Sequence, residues 1–217
     1  MKKTIGITAL AMAAALLLSS CTQATTNNVD VKTAADQGIP TEAWKIVDLF
    51  MPESMTIDYQ VFNTPQALAE NSSDVFSAEI IGFKAGRHFD GTGAEEGKQR
   101  PSVLIELGNI EAVKGTVNLG ETNHYFIQLY PAIVKTKLAE FEASDLVGRK
   151  VVAYLRGVST AFADGIETSE TNNIFEMTNP ASFSIDAGDG YFVWPIIRNA
   201  KKAAIADLLP TGKIVGD

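Results

Sequence analysis

The chain has 217 residues, 46% of them hydrophobic, and carries 26 Asp and Glu against 18 Lys and Arg for a formal net charge of −8. That acidity argues against a nucleic-acid partner, whose phosphates demand a basic surface, and against a basic amphipathic patch on a membrane. The length suits one domain of moderate size with a further segment attached.

That segment stands at the N-terminus. Lys2 and Lys3 form a positive start, Ile5 to Leu18 is an uncharged run rich in Ala and Leu, and Leu18-Ser19-Ser20-Cys21 follows. The run is too short for a permanent spanning helix and lies where a secretory leader has its apolar core. The tetrapeptide, an aliphatic residue and two small ones before cysteine, resembles the lipobox of bacterial lipoproteins. The resemblance is confined to residues 1–21. It implies removal of residues 1–20 and diacylglycerol on the Cys21 thiol. It also implies acyl chains such as palmitate holding the protein outside the cytoplasm, on the cell membrane or the outer membrane. Two other readings stay open: Cys21 as an ordinary residue just past a conventional cleavage site, and residues 5–20 as an uncleaved anchor helix. Cys21 is the only cysteine, so no intramolecular disulfide can form, and lipidation would account for a lone thiol in an exported chain. Loss of Lys2 and Lys3 takes the charge to −10. So acidic a domain repels anionic head groups and leaves attachment to the lipid, which is stable with several acyl chains and marginal with one.

Residues 22–38 are small and polar, with Val29 and Val31 the only sizeable apolar side chains, and read as a flexible tether. A single β-rich domain is expected over 39–217. Thr41 is a candidate cap for a short helix carrying Trp44, Val47, Leu49 and Phe50 and ending before Pro52, with Trp44 a packing anchor. Thr64 and Pro65 have the chemistry of a cap and a first helical residue, predicting a second helix over Gln66 to Glu70.

Strands follow. Val75 to Phe83 is nearly continuous and apolar. Ser102 to Val113 alternates through Val103, Ile105 and Leu107, then shifts phase after Gly108-Asn109 to Ile110 and Ala112, as a β-bulge would require. Tyr125, Ile127 and Leu129 alternate up to Pro131. Thr136 to Leu146 reads as an amphipathic helix with Leu138, Phe141 and Leu146 apolar, stopped at Gly148. Lys150 to Arg156 is a strand facing inward at Val151, Ala153 and Leu155. Beyond the polar stretch Ser159 to Asn173 come strands at Ile174 to Thr178 and Ser182 to Ile185. The turn Asp186 to Gly190 leads into Tyr191 to Ile197, and Ala200 to Leu209 reads as a closing helix before Pro210. This order predicts a mainly β (α+β) fold, a small Greek-key OB-like barrel with its helix between the third and fourth strands.

Ser73-Asp74-Val75-Phe76, Ile80-Ile81-Gly82 and Glu111-Ala112-Val113-Lys114-Gly115 resemble motifs of exported OB-like or netrin-like modules, over about residues 64–157. The chain lacks the disulfides of netrin-like domains. The free N-terminal cysteine amine that their protease-inhibitor members use would here belong to a lipidated residue. No functional residue carries over.

Catalytic motifs are missing from the sequence. Its histidines are His88 and His124, and His124, in an apolar run, reads as a structural strand residue. Gly157-Val158-Ser159-Thr160-Ala161 lacks the second glycine of a nucleophile elbow, and neither a His-Glu-x-x-His zinc site nor a phosphate-binding loop occurs. No catalytic residue, metal site or cofactor is assigned. Ligand contacts are expected in the long connection Gly86 to Arg100, through Arg87, His88, Asp90, Glu95 and Glu96, although a solvated hairpin loop explains that stretch as well. The connection and Ser159 to Asn173 are expected at one open end. Asp186-Ala187-Gly188-Asp189-Gly190 lacks the alternating ligands of a calcium loop and reads as a tight turn. Tyr191, Phe192 and Trp194 read either as core or as an aromatic platform for sugars.

Function is therefore expected to be non-catalytic, with a protein or glycan partner in the cell envelope. The alternatives are a carboxylate-based hydrolase, which needs two acidic groups facing each other in a cleft, and an extracytoplasmic cation-binding protein, for which only residues 88–96 offer ligands.

Overall fold

The structure is a computed structural model that describes residues 39–51, 62, 64–90, 99–115, 125–131, 134, 136–157, 174–177 and 179–211. Helix α1 spans Thr41–Phe50. Thr41 is its first residue rather than its cap: Pro40 holds the cap position with extended backbone and no capping side chain. Ala43, Ile46, Val47 and Phe50 turn inward, the 3.6-residue stripe of a helix lying on a sheet. Trp44 is only partly buried against the core, and the Arg198 guanidinium lies 6.0 Å from its ring centroid. Helix α2, Pro65–Glu70, begins as its sequence predicts, with Thr64 Oγ1 accepting the Ala67 N–H at 3.1 Å.

Strands β1 (Asp74–Asp90) and β2 (Gln99–Lys114) form a long antiparallel hairpin. Both run further than their apolar patterns predict, so Gly86 to Asp90 and Gln99 to Arg100 are strand, not loop. A Cβ at Gly86 would strike the Ser102 and Leu104 side chains, so the close approach of the two strands there requires glycine. The expected bulge exists. The register slips between Ser77↔Glu111 and Glu79↔Gly108, and Asn109 adopts φ 50°. Ile110 then turns toward the core, while Ala112 is exposed.

Strand β3 (Tyr125–Leu129) pairs with β2, α3 (Leu138–Glu142) follows, and β4 (Lys150–Gly157) and β5 (Ile174–Met177) come next. Helix α3 is shorter than Thr136 to Leu146, because the chain unwinds into turns. Phe141 and Leu146 are still buried, and Gly148 sits at φ 89°. Next in the chain are β6 (Phe183–Gly188) and β7 (Tyr191–Trp194), and the turn between them passes through positive φ at Gly188, Asp189 and Gly190.

The predicted closing helix is not formed. Arg198 takes φ 50° and donates its N–H to the Pro195 carbonyl, which reverses the chain. Residues Asn199–Lys202 then become β8, antiparallel to β7, and a short 3-10 turn covers Ile205–Leu208. Pairing to an open strand edge outweighs the helix preference of the alanines there.

The result is mainly β: one eight-stranded mixed sheet ordered β1-β2-β3-β5-β4-β6-β7-β8, with α3 between β3 and β4 in the chain. Strand β3 runs parallel to β5, and β1 also pairs with β4 from Asp74↔Leu155 to Glu79↔Lys150. The first five strands thereby bend into a partial ring. Its interior holds Phe76, Ile105, Tyr125, Ile127, Val151 and Phe183, roofed by Phe50 and Phe141, whose rings meet edge-on at 5.0 Å. A second apolar cluster lies on the opposite face of β4 and β7, where Leu68, Val152, Tyr154, Phe192 and Leu208 pack together.

Candidate functional site

The end of β1 that sequence reasoning assigned to a ligand loop is ordered sheet. Arg87 is half-buried and His88, paired with Pro101, is exposed; the backbone of Asp90 pairs with Gln99. Glu95, Glu96 and Cys21 lie outside the described residues, as do His124 and the stretch Ser159 to Asn173. Of the five expected ligands, the side chains of Arg87 and His88 alone are described, and the structure gathers Arg87 with other residues.

The Arg87 guanidinium lies over the Phe89 ring at 5.5 Å, and Phe89 meets Tyr130 edge-on at 5.2 Å. The Tyr130 hydroxyl donates to Glu176 Oε2 at 2.6 Å, and Arg156 Nε donates to Glu176 Oε1, also at 2.6 Å. Four segments build this chain of contacts. Phe89 arrives on the extended end of β1, and Tyr130 leaves β3 just before Pro131. Arg156 and Glu176 face each other across β4 and β5, on the side away from the core because their neighbours Leu155 and Phe175 point inward. Sequence reasoning missed Tyr130, Arg156 and Glu176. Alternation in β4 does imply an outward Arg156, but nothing in the sequence pairs it with Glu176.

Energetically the cluster is a surface feature. The Arg156 side chain is 62% exposed and that of Glu176 21%, so the pair contributes about 0–1 kcal/mol. The aromatic pair adds about 0.5–1.5 kcal/mol. Burial, and then the hydrogen bond to Glu176, push the Tyr130 phenol well above its ordinary range, while Arg156 and Arg87 pull it back less strongly. Tyr130 therefore stays protonated and acts as a donor. Both Glu176 oxygens already accept hydrogen bonds, a poor starting point for a general base or nucleophile. Half-buried Arg87 and exposed Arg156 beside aromatic rings are instead suited to recognition: Arg and Tyr are enriched where protein partners dock.

Other expectations fare differently. Asp74 is the one buried carboxylate among the described residues, accepting from Ser73 Oγ at 2.5 Å, so the facing acidic pair of a glycosidase is not formed there. No group of three or more His, Cys, Asp or Glu converges among the described residues. The connections after β1 and after β4 do not leave from one end. Phe83, Ile105, Ile127, Phe175 and Gly157 stand in one paired row. From that row the first connection lies toward the C-terminal end of β5, and the second toward its N-terminal end. In the β6–β7 turn, Asp186 Oδ1 accepts the Gly188 N–H at 2.8 Å, the local bond of a tight turn. No helix among the described residues is long and apolar enough to cross a membrane.

No protein-family model matches the chain, and no curated protein aligns with it.

Proposed function

We propose that this is an exported lipoprotein, anchored by lipid on Cys21 outside the cytoplasm, whose OB-like barrel domain binds a protein partner through the Arg87–Phe89–Tyr130 face. The single observation that carries the binding reading is that cluster. It sets two cations and two aromatic rings on the outer side of the sheet around a carboxylate each of whose oxygens already accepts one hydrogen bond. A Greek-key OB-like description is supported by the strand order, by the parallel β3–β5 pair, by α3 between β3 and β4, and by the β1–β4 pairing that brings the fifth strand's neighbour back to the first. The anchor is supported by the leader and by Leu18-Ser19-Ser20-Cys21.

Two experiments test the two halves. Labelling cells with a radioactive fatty acid should mark the wild-type chain and not Cys21→Ala; equal labelling would overturn the anchor. A photo-crosslinking residue at His88, beside the cluster, should give a discrete adduct in intact cells, and Tyr130→Ala should remove it. The same residue placed at Val147, which is 56% exposed elsewhere on the surface, should give none. An adduct indifferent to Tyr130→Ala would refute the face.

A further inference from the structure

The outer side of β4, β6, β7 and β8 holds a cleft of about 340 Å³, whose lining includes no residue of the Arg87 cluster. It lies between the sheet, the start of α2 and the 3-10 turn at Ile205–Leu208. Its size falls at the lower end of the roughly 300–1,000 Å³ typical of small-ligand sites. Phe62, Leu68, Ile197 and half-buried Trp194 give it an apolar wall. The register explains its mouth. Asn199 stands opposite Trp194 and Lys201 opposite Phe192, so these two polar residues of β8 fall on the face that carries Phe192 and Trp194, while Lys202 pairs with Tyr191 on the other.

The polar groups divide into those already used and those left over. Thr64 Oγ1 caps α2, and Ser184 Oγ donates to the Val152 carbonyl at 3.5 Å. Tyr154 spends its hydroxyl on the Leu208 carbonyl. One Asp207 oxygen accepts the Ala204 N–H at 3.1 Å, leaving the other. The Asn199 amide and the Lys201 ammonium hydrogen-bond to no side chain among the described residues. Among the described residues, the cleft thus offers unengaged donors on Lys201 and Asn199, unengaged acceptors on Asn199 and Asp207, and an indole against which to stack.

We infer that this cleft binds a small saccharide of one or two rings, stacked on Trp194 and held through its hydroxyls by Asn199, Lys201 and Asp207. A sugar ring has an apolar C–H face for an aromatic plane and vicinal hydroxyls that both donate and accept, matching a mixed set in which no single charge dominates. A fatty acid or other apolar anion would leave the Asp207 carboxylate opposing it, and a purely apolar ligand would strand the polar mouth. Alternation along β7 turns Tyr191 to one face and Phe192 and Trp194 to the other. Tyr191 packs toward the main core, Phe192 lies in the outer apolar cluster, and Trp194 reaches the cleft. This site does not depend on the partner proposed for the Arg87 face.

The test uses the full chain with Trp44→Phe, which leaves Trp194 as the sole indole, since the sequence has two tryptophans. Glucose, N-acetylglucosamine and its β-1,4-linked dimer are titrated separately, following Trp194 fluorescence and, by NMR, the backbone amides of β7 and β8. At least one sugar should saturate the signal with millimolar or tighter affinity, and the three arms report whether an acetamido group or a second ring matters. Lys201→Ala and Asn199→Ala, both at exposed positions of the last strand, should each weaken binding at least several-fold while preserving the melting curve. Trp194→Ala, followed by NMR alone, should abolish it. Silence of all three sugars up to their solubility limits would overturn the inference, as would binding that Lys201→Ala and Asn199→Ala leave unchanged.

Discussion

Strands β4, β6 and β7 bury side chains on both faces, yet the two faces are built differently. Inward, Val151, Ala153, Phe183, Ile185 and Val193 meet α1 and α3 in a close-packed interior where Phe50 and Phe141 interlock. Outward, Val152, Tyr154 and Phe192 share a cluster, among the described residues, with Val75, Phe62, a two-turn helix and a 3-10 turn, with an open cleft left among them. Apolar burial on the inside is continuous and serves stability. On the outside, burial is thin and mixed with unpaired polar groups, the composition of a surface kept for contact with something else. Alternation along one strand thus supplies both, one residue to each side.

The largest expected difference between the faces is in cavity cost. Phe183→Ala removes a fully buried ring that packs on Phe50 at 6.1 Å and should cost about 3–5 kcal/mol in urea unfolding. Phe192→Ala should cost less than half of that, because the space it vacates adjoins a cleft that water can enter. Equal losses would mean that the outer cluster is as closed as the core. Next comes the fastening of the 3-10 turn. Tyr154→Phe deletes the bond to the Leu208 carbonyl and should lower stability by about 1–2 kcal/mol, with amide exchange accelerating first in residues 203–209. Uniform acceleration across β4 would instead place Tyr154 in the main cooperative unit.

Alkaline pH compares the faces in another way. Burial holds the Tyr154 phenol above its ordinary value, and burial with the Glu176 bond does the same for Tyr130. An unfolded chain gives up those protons near pH ~10, while the folded one keeps them. Stability should therefore be undiminished below about pH 10 and fall as the pH rises beyond it toward the folded values. The fall should be shallower in Tyr154→Phe and in Tyr130→Phe than in the parent, and identical slopes in all three would sink this account. The smallest effect belongs to the exposed cluster: Arg156→Ala should change stability by at most about 1 kcal/mol, less still in high salt.

Much of this architecture was legible where local chemistry decides. Thr64-Pro65 announces α2, Val151, Ala153 and Leu155 orient β4, and Gly108-Asn109 marks the bulge because a phase change in an alternating strand has few other causes. What escaped detection depends on distant partners. β8 reads as helix since its alanines favour one, and only the open edge of β7 makes it a strand. Arg198 gives no sign that it will adopt a left-handed backbone. Gly86 through Asp90 look like a polar loop until Tyr130 offers Phe89 a ring to pack against. Of the assigned ligand residues whose side chains are described, Arg87 reaches the observed cluster and His88 does not. Tyr130, Arg156 and Glu176 could not be grouped with it, because their meeting rests on the parallel β3–β5 pair.

The double pairing of β1 also bears on how the chain acquires its shape. Its hairpin with β2 joins neighbours and can form early. Among the described residues, its other edge is paired from Asp74 to Glu79 by β4, which brings Asp74 against Leu155, and such sequence-distant contacts pay their loop-closure entropy before any reward. Until then β1 presents a row of unpaired amides and carbonyls, a template for strands of other molecules. A chain ending before Lys150 would keep that edge open, and should aggregate in proportion to concentration where the full chain folds unaided. The fold is thus made safe late in its own synthesis, by a strand that arrives well after the one it protects.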